Sequence, residues 1–144
     1  MANSRTRVPD HTIDEVNRRI RHQTAVRVHH YSRHREEIPR RLRQLDREWD
    51  IERAIEANAA TLGFLGVALG ATRDRRWLAL PALVTGFLFQ HAVQGWCPPV
   101  PVLRRLGFRT AFEIEIERQA LKALRGDYGR PKRSGSSALH AARA

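Results

Sequence analysis

The run WLALPALVTGFLFQHAVQGWC, from Trp77 to Cys97, decides the fold. It holds no Asp, Glu, Lys or Arg, and the uncharged stretch continues to residue 103. A helix that crosses the hydrocarbon core of a bilayer needs about 20 mostly apolar residues. The run therefore predicts a membrane-spanning helix over about residues 77–97.

A second apolar run, ANAATLGFLGVALGAT, precedes it from Ala57 to Thr72. This run is short for a span unless residues 53–56 join it at the interface, where long charged side chains can reach the headgroups. The charged turn RDRR, residues 73–76, links the two runs, so the helices must be antiparallel neighbours. We predict an all-α protein with a two-helix transmembrane hairpin, its spans at about 54–72 and 77–97. A buried hairpin in a soluble domain is the alternative, but the other segments are too charged to cover two apolar helices.

Basic arms flank the hairpin. The chain has 144 residues and a formal net charge of +11. Nothing at the N-terminus resembles a signal peptide, so the first apolar run is expected to act as an uncleaved anchor. We predict a basic helical cytosolic arm at 1–50, the hairpin at 51–107, an amphipathic surface helix at 108–126 and a disordered basic tail at 127–144.

The predicted surface helix has an apolar stripe beside basic residues. The stripe consists of Phe112, Ile116, Ala120 and Leu124, and the basic residues are Arg105, Arg109, Arg118 and Lys122. This pattern is typical of a helix that lies on an anionic membrane. The expected partners are the lipid bilayer and, through the basic arms, anionic lipid headgroups.

Small residues recur along one side of the first helix, at Ala59, Gly63, Gly66 and Gly70. Such a row lets a neighbouring backbone approach closely, which supplies packing energy in lipid. The second helix carries a row with matching spacing at Ala82, Gly86, Gln90 and Gln94. We predict that these two faces meet, with Gly86 opposite the small residues of the first helix.

Polar residues inside the second run are candidate functional residues, because polar groups within a membrane are expensive to bury. They are Gln90, His91 and Gln94, together with Cys97 at the membrane edge. The alternatives are that the amides bond across to Asn58 or Thr61 of the first helix, and that Cys97 only packs. No base is placed by spacing to activate the thiol.

Signatures of catalysis are missing from the sequence. It has no phosphate-binding loop, no Ser/His/Asp signature and no paired-carboxylate site, so we expect no enzyme activity and no cofactor. His30 and His34 have the spacing of two metal ligands, but no carboxylate or thiol joins them convincingly. We interpret them as a solvated basic face and expect no metal site.

The junction GWCPPVPVLRRLG, residues 95–107, resembles the YgaP-like transmembrane domain family, which comprises small bacterial inner-membrane hairpins. The resemblance extends over about residues 48–107 and includes the pair Glu52-Arg53, a Gly-rich first helix and the Gly-x-Cys-Pro ending of the second. The chain departs from the family pattern at Pro99 and in its long arms. The resemblance implies a bacterial membrane protein in which Cys97 is the cysteine of the Gly-x-Cys-Pro motif. Some relatives carry a fused rhodanese domain, for which this chain has no room.

The sequence thus predicts a small integral inner-membrane protein that is structural or binds a partner, either as a homo-oligomer or with another membrane protein. One alternative is a sulfur-linked or small-anion membrane component that uses Cys97 and the polar row of the second helix. Another is a soluble basic nucleic-acid-binding protein. The positive charge of the first arm is interleaved with acidic residues, so we expect no nucleic-acid partner.

Arginine counts near the spans predict the orientation. Eight arginines lie on the arms close to the hairpin, against three in the turn at Arg73, Arg75 and Arg76. Because Lys and Arg are retained on the cytoplasmic side, we predict that both termini are cytoplasmic and that the turn faces the periplasm.

Overall fold

The computed structural model of the protein describes residues 5–128. These residues form α-helices and short 3-10 helices and contain no strand. The α-helices are α1 (Asp14–Arg33), α2 (Ile38–Arg47), α3 (Ile51–Thr72), α4 (Ala79–Gln94), α5 (Val100–Arg105) and α6 (Ala111–Arg125). The 3-10 helices are Pro9–His11, Arg35–Glu37 and Arg75–Leu78. The predicted all-α class is confirmed.

The two apolar runs form helices α3 and α4. The second run was expected to form the longer helix, but α3 is the longer of the two. Helix α3 has 22 residues and starts early because the Asp50 carboxylate accepts a hydrogen bond from the Arg53 N–H at 2.7 Å. Helix α4 has only 16 residues, because Gly95 adopts a left-handed φ of +80° and ends it. Within residues 5–128, the stretch that could cross a membrane by length and composition is the one in Arg35–Thr72.

The chain folds into two compact units, and the first is built around α3, α4 and α5. Among the described residues it comprises 5–20 and 49–112. Its buried apolar cluster joins the N-terminal segment, the start of α3 and the region after α4: Val8, Ile51, Ala54, Ile55, Cys97, Val100 and Leu103. The Ile51 N–H also donates to the Arg109 carbonyl at 2.9 Å. The base of the hairpin is therefore a packed core.

The second unit comprises residues 21–48 and, from 113, the remaining described chain. Its core consists of apolar residues of α2 and α6, namely Ile38, Leu42, Leu45, Ile114 and Leu121. Tyr31 and Leu124 pack against this cluster and are partly buried. The three residues of α2 recur at helical spacing and form one apolar face.

The units differ from the consecutive domains that we predicted. The first arm contributes residues 5–20 to the unit that holds the hairpin, and residues 21–48 to the other. A tail boundary near 127 agrees with the end of α6 at Arg125, but residues 129–144 of the predicted tail lie outside the described residues.

Helix α6 buries a different face from the one that we predicted. Ile114, Glu117 and Leu121 are buried, whereas Phe112 and Ile116 of the predicted stripe are exposed. The reason is that the face with Ile114 and Leu121 packs in the apolar cluster with α2. The expected membrane-facing stripe is thus partly replaced by a protein-facing one.

Candidate functional site

Two glycines of α3 let the segment that follows it approach closely. A Cβ atom at Gly66 would lie 2.5 Å from Pro81 Cδ of α4, and one at Gly70 would lie 2.6 Å from Leu78 Cδ2 of the preceding 3-10 helix. A side chain at Gly66 would meet a rigid proline ring, whereas one at Gly70 would meet a leucine side chain that can move. Gly63 lies outside this contact, because no described atom beyond its own helix lies within 4 Å of the same point. Ala59 lines a groove between the helices.

The row predicted on α4 points away from α3. Ala82, Gly86 and Gln94 are exposed, and no described atom beyond the helix lies within 4 Å of a Cβ built at Gly86. Gln90 donates to the Gln94 side chain on the same helix at 3.4 Å. This corrects the expected match of two faces: the α4 residues between the helices are larger and apolar, because the small residues needed for close approach come from α3 alone.

The polar side chains of α3 satisfy themselves locally. The Asn58 amide donates to the Ala54 carbonyl, and the Thr61 hydroxyl donates to the Ala57 carbonyl, each at 2.8 Å. Bonds across to Gln90 or Gln94, which we considered as an alternative, do not form among the described residues.

An apolar groove of about 240 Å³ runs between α3 and α4. It is lined by Ile55, Asn58, Ala59, Leu62, Leu80, Leu83, Val84, Phe87, Leu88, Cys97, Pro98 and Pro99. The Cys97 side chain closes one end and also belongs to the core of the first unit, where the residue is 2% exposed. Gln90 and Gln94 do not line this groove. Cys97 and the glutamine row therefore do not form one site.

A polar cluster lies at the end of the hairpin opposite the turn. We call it the inner polar cluster and define it as Arg7, Glu52, Glu56 and His91. Arg7 interacts electrostatically with Glu52 of α3 and with His91 of α4, and Glu56 interacts with His91. The Arg7 guanidinium donates to the Ala92 carbonyl at 2.8 Å. The N-terminal segment is thereby bonded to the last turns of α4.

Four buried atoms of the inner polar cluster have no hydrogen-bond partner among the described residues. They are Arg7 Nε, Glu52 Oε2 and both ring nitrogens of His91. The His91 residue is only 5% exposed. Buried polar atoms are nearly always hydrogen-bonded, so a group of four in one place is a feature of this site that needs a chemical explanation.

Glycine at position 95 lets the N-terminal segment approach the inner polar cluster. A Cβ atom at Gly95 would lie 2.7 Å from backbone atoms of Arg7. The next residue, Val8, is 1% exposed and packs in the cluster that contains Cys97. Residues 5–13, here called the N-terminal segment, therefore contact the end of α4 through Arg7 and share the core of Cys97 through Val8.

A buried arginine holds α1 to α5 in the first unit. The Arg104 guanidinium donates to Asn17 Oδ1 at 2.8 Å and to the Phe108 carbonyl at 3.1 Å. Arg104 and Asn17 are both buried. The sequence analysis included Arg104 among the arginines that flank the membrane. It did not predict that Arg104 would link α1 to α5. Its signal was the position of Asn17 between Ile13 and Ile20 on one side of α1.

The second unit contains a buried carboxylate between two arginines. Glu117 accepts hydrogen bonds from Arg27 Nε at 3.0 Å and from Arg41 Nε at 2.8 Å, and its side chain is fully buried. Burial lowers the pKa of Arg41, but the hydrogen bond and charge of Glu117 outweigh burial and raise it above its usual value. The ion pair thus makes two of the chain's many arginines structural.

Other basic residues assigned to the membrane surface are also engaged within the protein. Arg109 is buried, and Arg118 donates to Asp46 at 2.9 Å and to Glu115 at 2.6 Å. Burial raises the pKa of Glu115, but hydrogen bonds from Gln119 and Arg118 outweigh it and keep the pKa below its usual value. These two arginines are therefore engaged by the protein itself, although the sequence assigned them to the membrane surface.

The histidine patch on α1 is exposed. The rings of His30 and His34 stack with their centroids 4.4 Å apart, and Tyr31 contacts His30 edge-on. Among residues 5–128, no group of three or more His, Cys, Asp or Glu side chains could hold a metal ion.

Sequence reasoning selected His91 and Cys97 but missed the residues that meet them. Arg7 lies more than 80 positions away in the chain, and no periodic pattern connects it to α4. Comparison of the chain with protein-family profiles, curated protein sequences and solved structures found no match.

Proposed function

We propose that the protein is a small integral membrane protein of the bacterial inner membrane, whose α3–α4 hairpin crosses the bilayer. In this proposal its role is structural or partner-binding, and its two termini lie in the cytoplasm. The resemblance of residues 48–107 to the YgaP-like hairpins is part of the same proposal.

The observation that carries the proposal is the exposed apolar surface of the hairpin. Phe64 of α3 is 73% exposed and Phe89 of α4 is 72% exposed. Other large apolar residues of the hairpin that are exposed are Leu62, Leu65, Val67, Trp77, Leu78, Leu83 and Val93. Soluble monomers rarely expose large contiguous apolar patches, whereas hydrocarbon tails cover such a surface favourably.

Charges at the two ends of the hairpin support the same interpretation. The turn carries Arg73, Asp74, Arg75 and Arg76, all exposed, and the Asp74 carboxylate accepts a hydrogen bond from the Arg76 N–H at 2.8 Å. At the other end, the Arg53 guanidinium lies over the Trp49 ring, 5.2 Å from its centroid. Tryptophan and arginine together are typical of the headgroup region.

Membrane extraction tests the proposal directly. Membranes from cells that express the full chain are washed at alkaline pH, and we expect the protein to stay in the pellet. The double variant Phe64→Arg/Phe89→Arg places charges on the exposed faces of both helices, where each costs about 2.5–3.5 kcal/mol on insertion. We expect this variant to lose membrane retention.

The matched control is Phe112→Arg, which replaces an exposed phenylalanine outside the hairpin. It is expected to remain in the pellet. Release of the unmodified protein by the wash, or equal retention of the double variant, contradicts the proposal.

Orientation has its own test. A fluorescent protein that matures only in the cytoplasm is fused after residue 144, and alkaline phosphatase, active only in the periplasm, is inserted in the 73–76 turn. We expect fluorescence from the first fusion and phosphatase activity from the second. A phosphatase active after residue 144 would show that the turn's arginines had retained the loop inside.

A further inference from the structure

The unpartnered atoms of the inner polar cluster require a species that both donates and accepts hydrogen bonds. Arg7 Nε is a donor and Glu52 Oε2 is an acceptor, while a neutral His91 ring supplies one of each. The Glu52 carboxylate already accepts from its own N–H and from that of Ala111, so it is held in place. Water and protons fit such a mixed set, whereas an anion or a cation alone would match only part of it.

Charged groups approach His91 from two directions. Arg7 comes from the N-terminal segment, and Glu56 comes from α3, with Glu52 beside Arg7. The titratable side chain of the following loop, Cys97, lies in the adjacent core. While the imidazole is neutral, Arg7 is the positively charged group of the cluster, and it interacts electrostatically with the Glu52 carboxylate.

We propose that the inner polar cluster is a proton-binding site and that a proton on His91 releases the N-terminal segment from the hairpin. A protonated imidazole is a second cation beside Arg7, and because His91 is buried, the two like charges are screened less than they would be in water. It also has two N–H donors and is attracted to the Glu56 carboxylate. Release frees Arg7 from the Ala92 carbonyl and leaves the proton on the His91 ring, where the Glu56 charge favours it.

The direction of the pH dependence follows from the charge. The docked segment requires neutral His91, so docking is complete at neutral and alkaline pH. Burial and the Arg7 charge both disfavour the protonated imidazole, so proton uptake and weaker docking are expected toward the acidic end of the usual histidine range, at about pH 5 and below. The site lies within the first unit, and its argument does not depend on whether the hairpin lies in a membrane.

Cys97 provides the readout, because it is the only cysteine of the chain and Val8 of the N-terminal segment packs in its core. The full-length protein in mild detergent is labelled with a water-soluble maleimide at pH values from 8 to 4.5. Each rate is divided by the rate for the same protein unfolded in strong detergent at the same pH, which cancels the changing thiolate fraction. We expect this ratio to rise at least tenfold at the acidic end.

Three variants decide between this site and a general loosening of the fold. His91→Gln cannot be protonated, so its ratio is expected to stay low and flat. Arg7→Gln has no charge to repel but also loses the bond to the Ala92 carbonyl, so its ratio is expected to start higher and to stay flat with pH. His30→Gln changes an exposed histidine of α1 and is expected to keep the acidic rise. A flat ratio in the unmodified protein overturns the proposal, and so does an acidic rise that persists in His91→Gln and Arg7→Gln.

A variant that fails to fold would show a high ratio at every pH, and a complementary substitution covers that outcome. His91→Arg places a side chain that stays protonated at every pH of the experiment beside Arg7, so its ratio is expected to be high at pH 8. Adding Arg7→Gln to it removes the repulsion and is expected to lower the ratio again. If the double variant is no more protected than His91→Arg alone, repulsion by Arg7 is not the cause and the proposal fails.

Discussion

Two glycines of α3 differ in their surroundings, and the difference gives a matched test of helix packing. Gly66→Leu drives a side chain into Pro81, whereas the Cβ atom of Gly63→Leu has no described atom beyond its helix within 4 Å. Overpacking of this kind costs about 1–3 kcal/mol, while an exposed substitution changes stability by about 0.5 kcal/mol or less. Thermal unfolding in detergent, followed by near-ultraviolet circular dichroism, should show a lower melting temperature for the first variant only. Equal melting temperatures would remove this contact from the description of the hairpin.

Gly95 and Gly107 form a second matched pair. Both have positive φ, +80° and +96°, so alanine strains either backbone by about 1–2 kcal/mol. Only at Gly95 does the new methyl group also meet Arg7, 2.7 Å away. We expect Gly95→Ala to lower stability more and to raise Cys97 labelling, whereas Gly107→Ala leaves the thiol protected. Comparable labelling in the two variants would argue against docking of the N-terminal segment at Gly95.

Residue-scale prediction from sequence succeeded where the signal is local. The glycine spacing identified Gly66 and Gly70, because a helix repeats its faces every three or four residues. The same periodicity placed Gly63 and Gly86 at the contact, and both placements were wrong. Spacing groups residues on one face of a helix, but it does not show which part of that face the partner helix contacts. The partnership of Arg7 with His91 had no local signal at all.

At the scale of elements, Glu117 is the residue of α6 on which the second unit depends most. Glu117→Gln removes the carboxylate that Arg27 and Arg41 share and leaves Arg41 only its longer pair with Glu48, at 3.7 Å. Breaking a buried ion pair costs about 3–5 kcal/mol. We expect amide hydrogen exchange in α6, followed by mass spectrometry, to become at least about a hundred-fold faster.

The control for this prediction is Glu37→Gln, which breaks an exposed pair with Arg40. Surface pairs contribute about 0–1 kcal/mol, so exchange in α6 should hardly change. An equal effect of the two substitutions would mean that burial of the Glu117 pair is not what stabilises the helix.

The end of α6 near residue 126 followed from sequence, but the end of α4 at Gly95 and the buried face of α6 did not. The stripe at Phe112 and Ile116 and the face at Ile114 and Leu121 are both periodic. Which of them is buried depends on α2, whose apolar residues meet the second face. Periodicity within one helix cannot choose between two such faces.

At the scale of the whole molecule, composition predicted the helical class and the separation of apolar from charged segments. It did not predict that segments distant in sequence would form one unit, as residues 5–20 do with 49–112. Long-range assembly depends on side-chain fit between segments, which charge and hydropathy averages do not contain.

The bond from Arg7 to the Ala92 carbonyl limits how thick a membrane the hairpin can serve. If the hairpin spans, a guanidinium at this position belongs at headgroup depth, so the hydrocarbon-facing length ends near Ala92. From Trp77 to Ala92 the chain rises only about 25 Å along the 3-10 turn and α4. A typical hydrocarbon core is about 30 Å thick, and such hydrophobic mismatch is relieved when the lipid thins around the protein. We therefore expect higher thermal stability in bilayers of 14-carbon lipids than in those of 18-carbon lipids, and no such preference in Arg7→Gln, which can slide deeper.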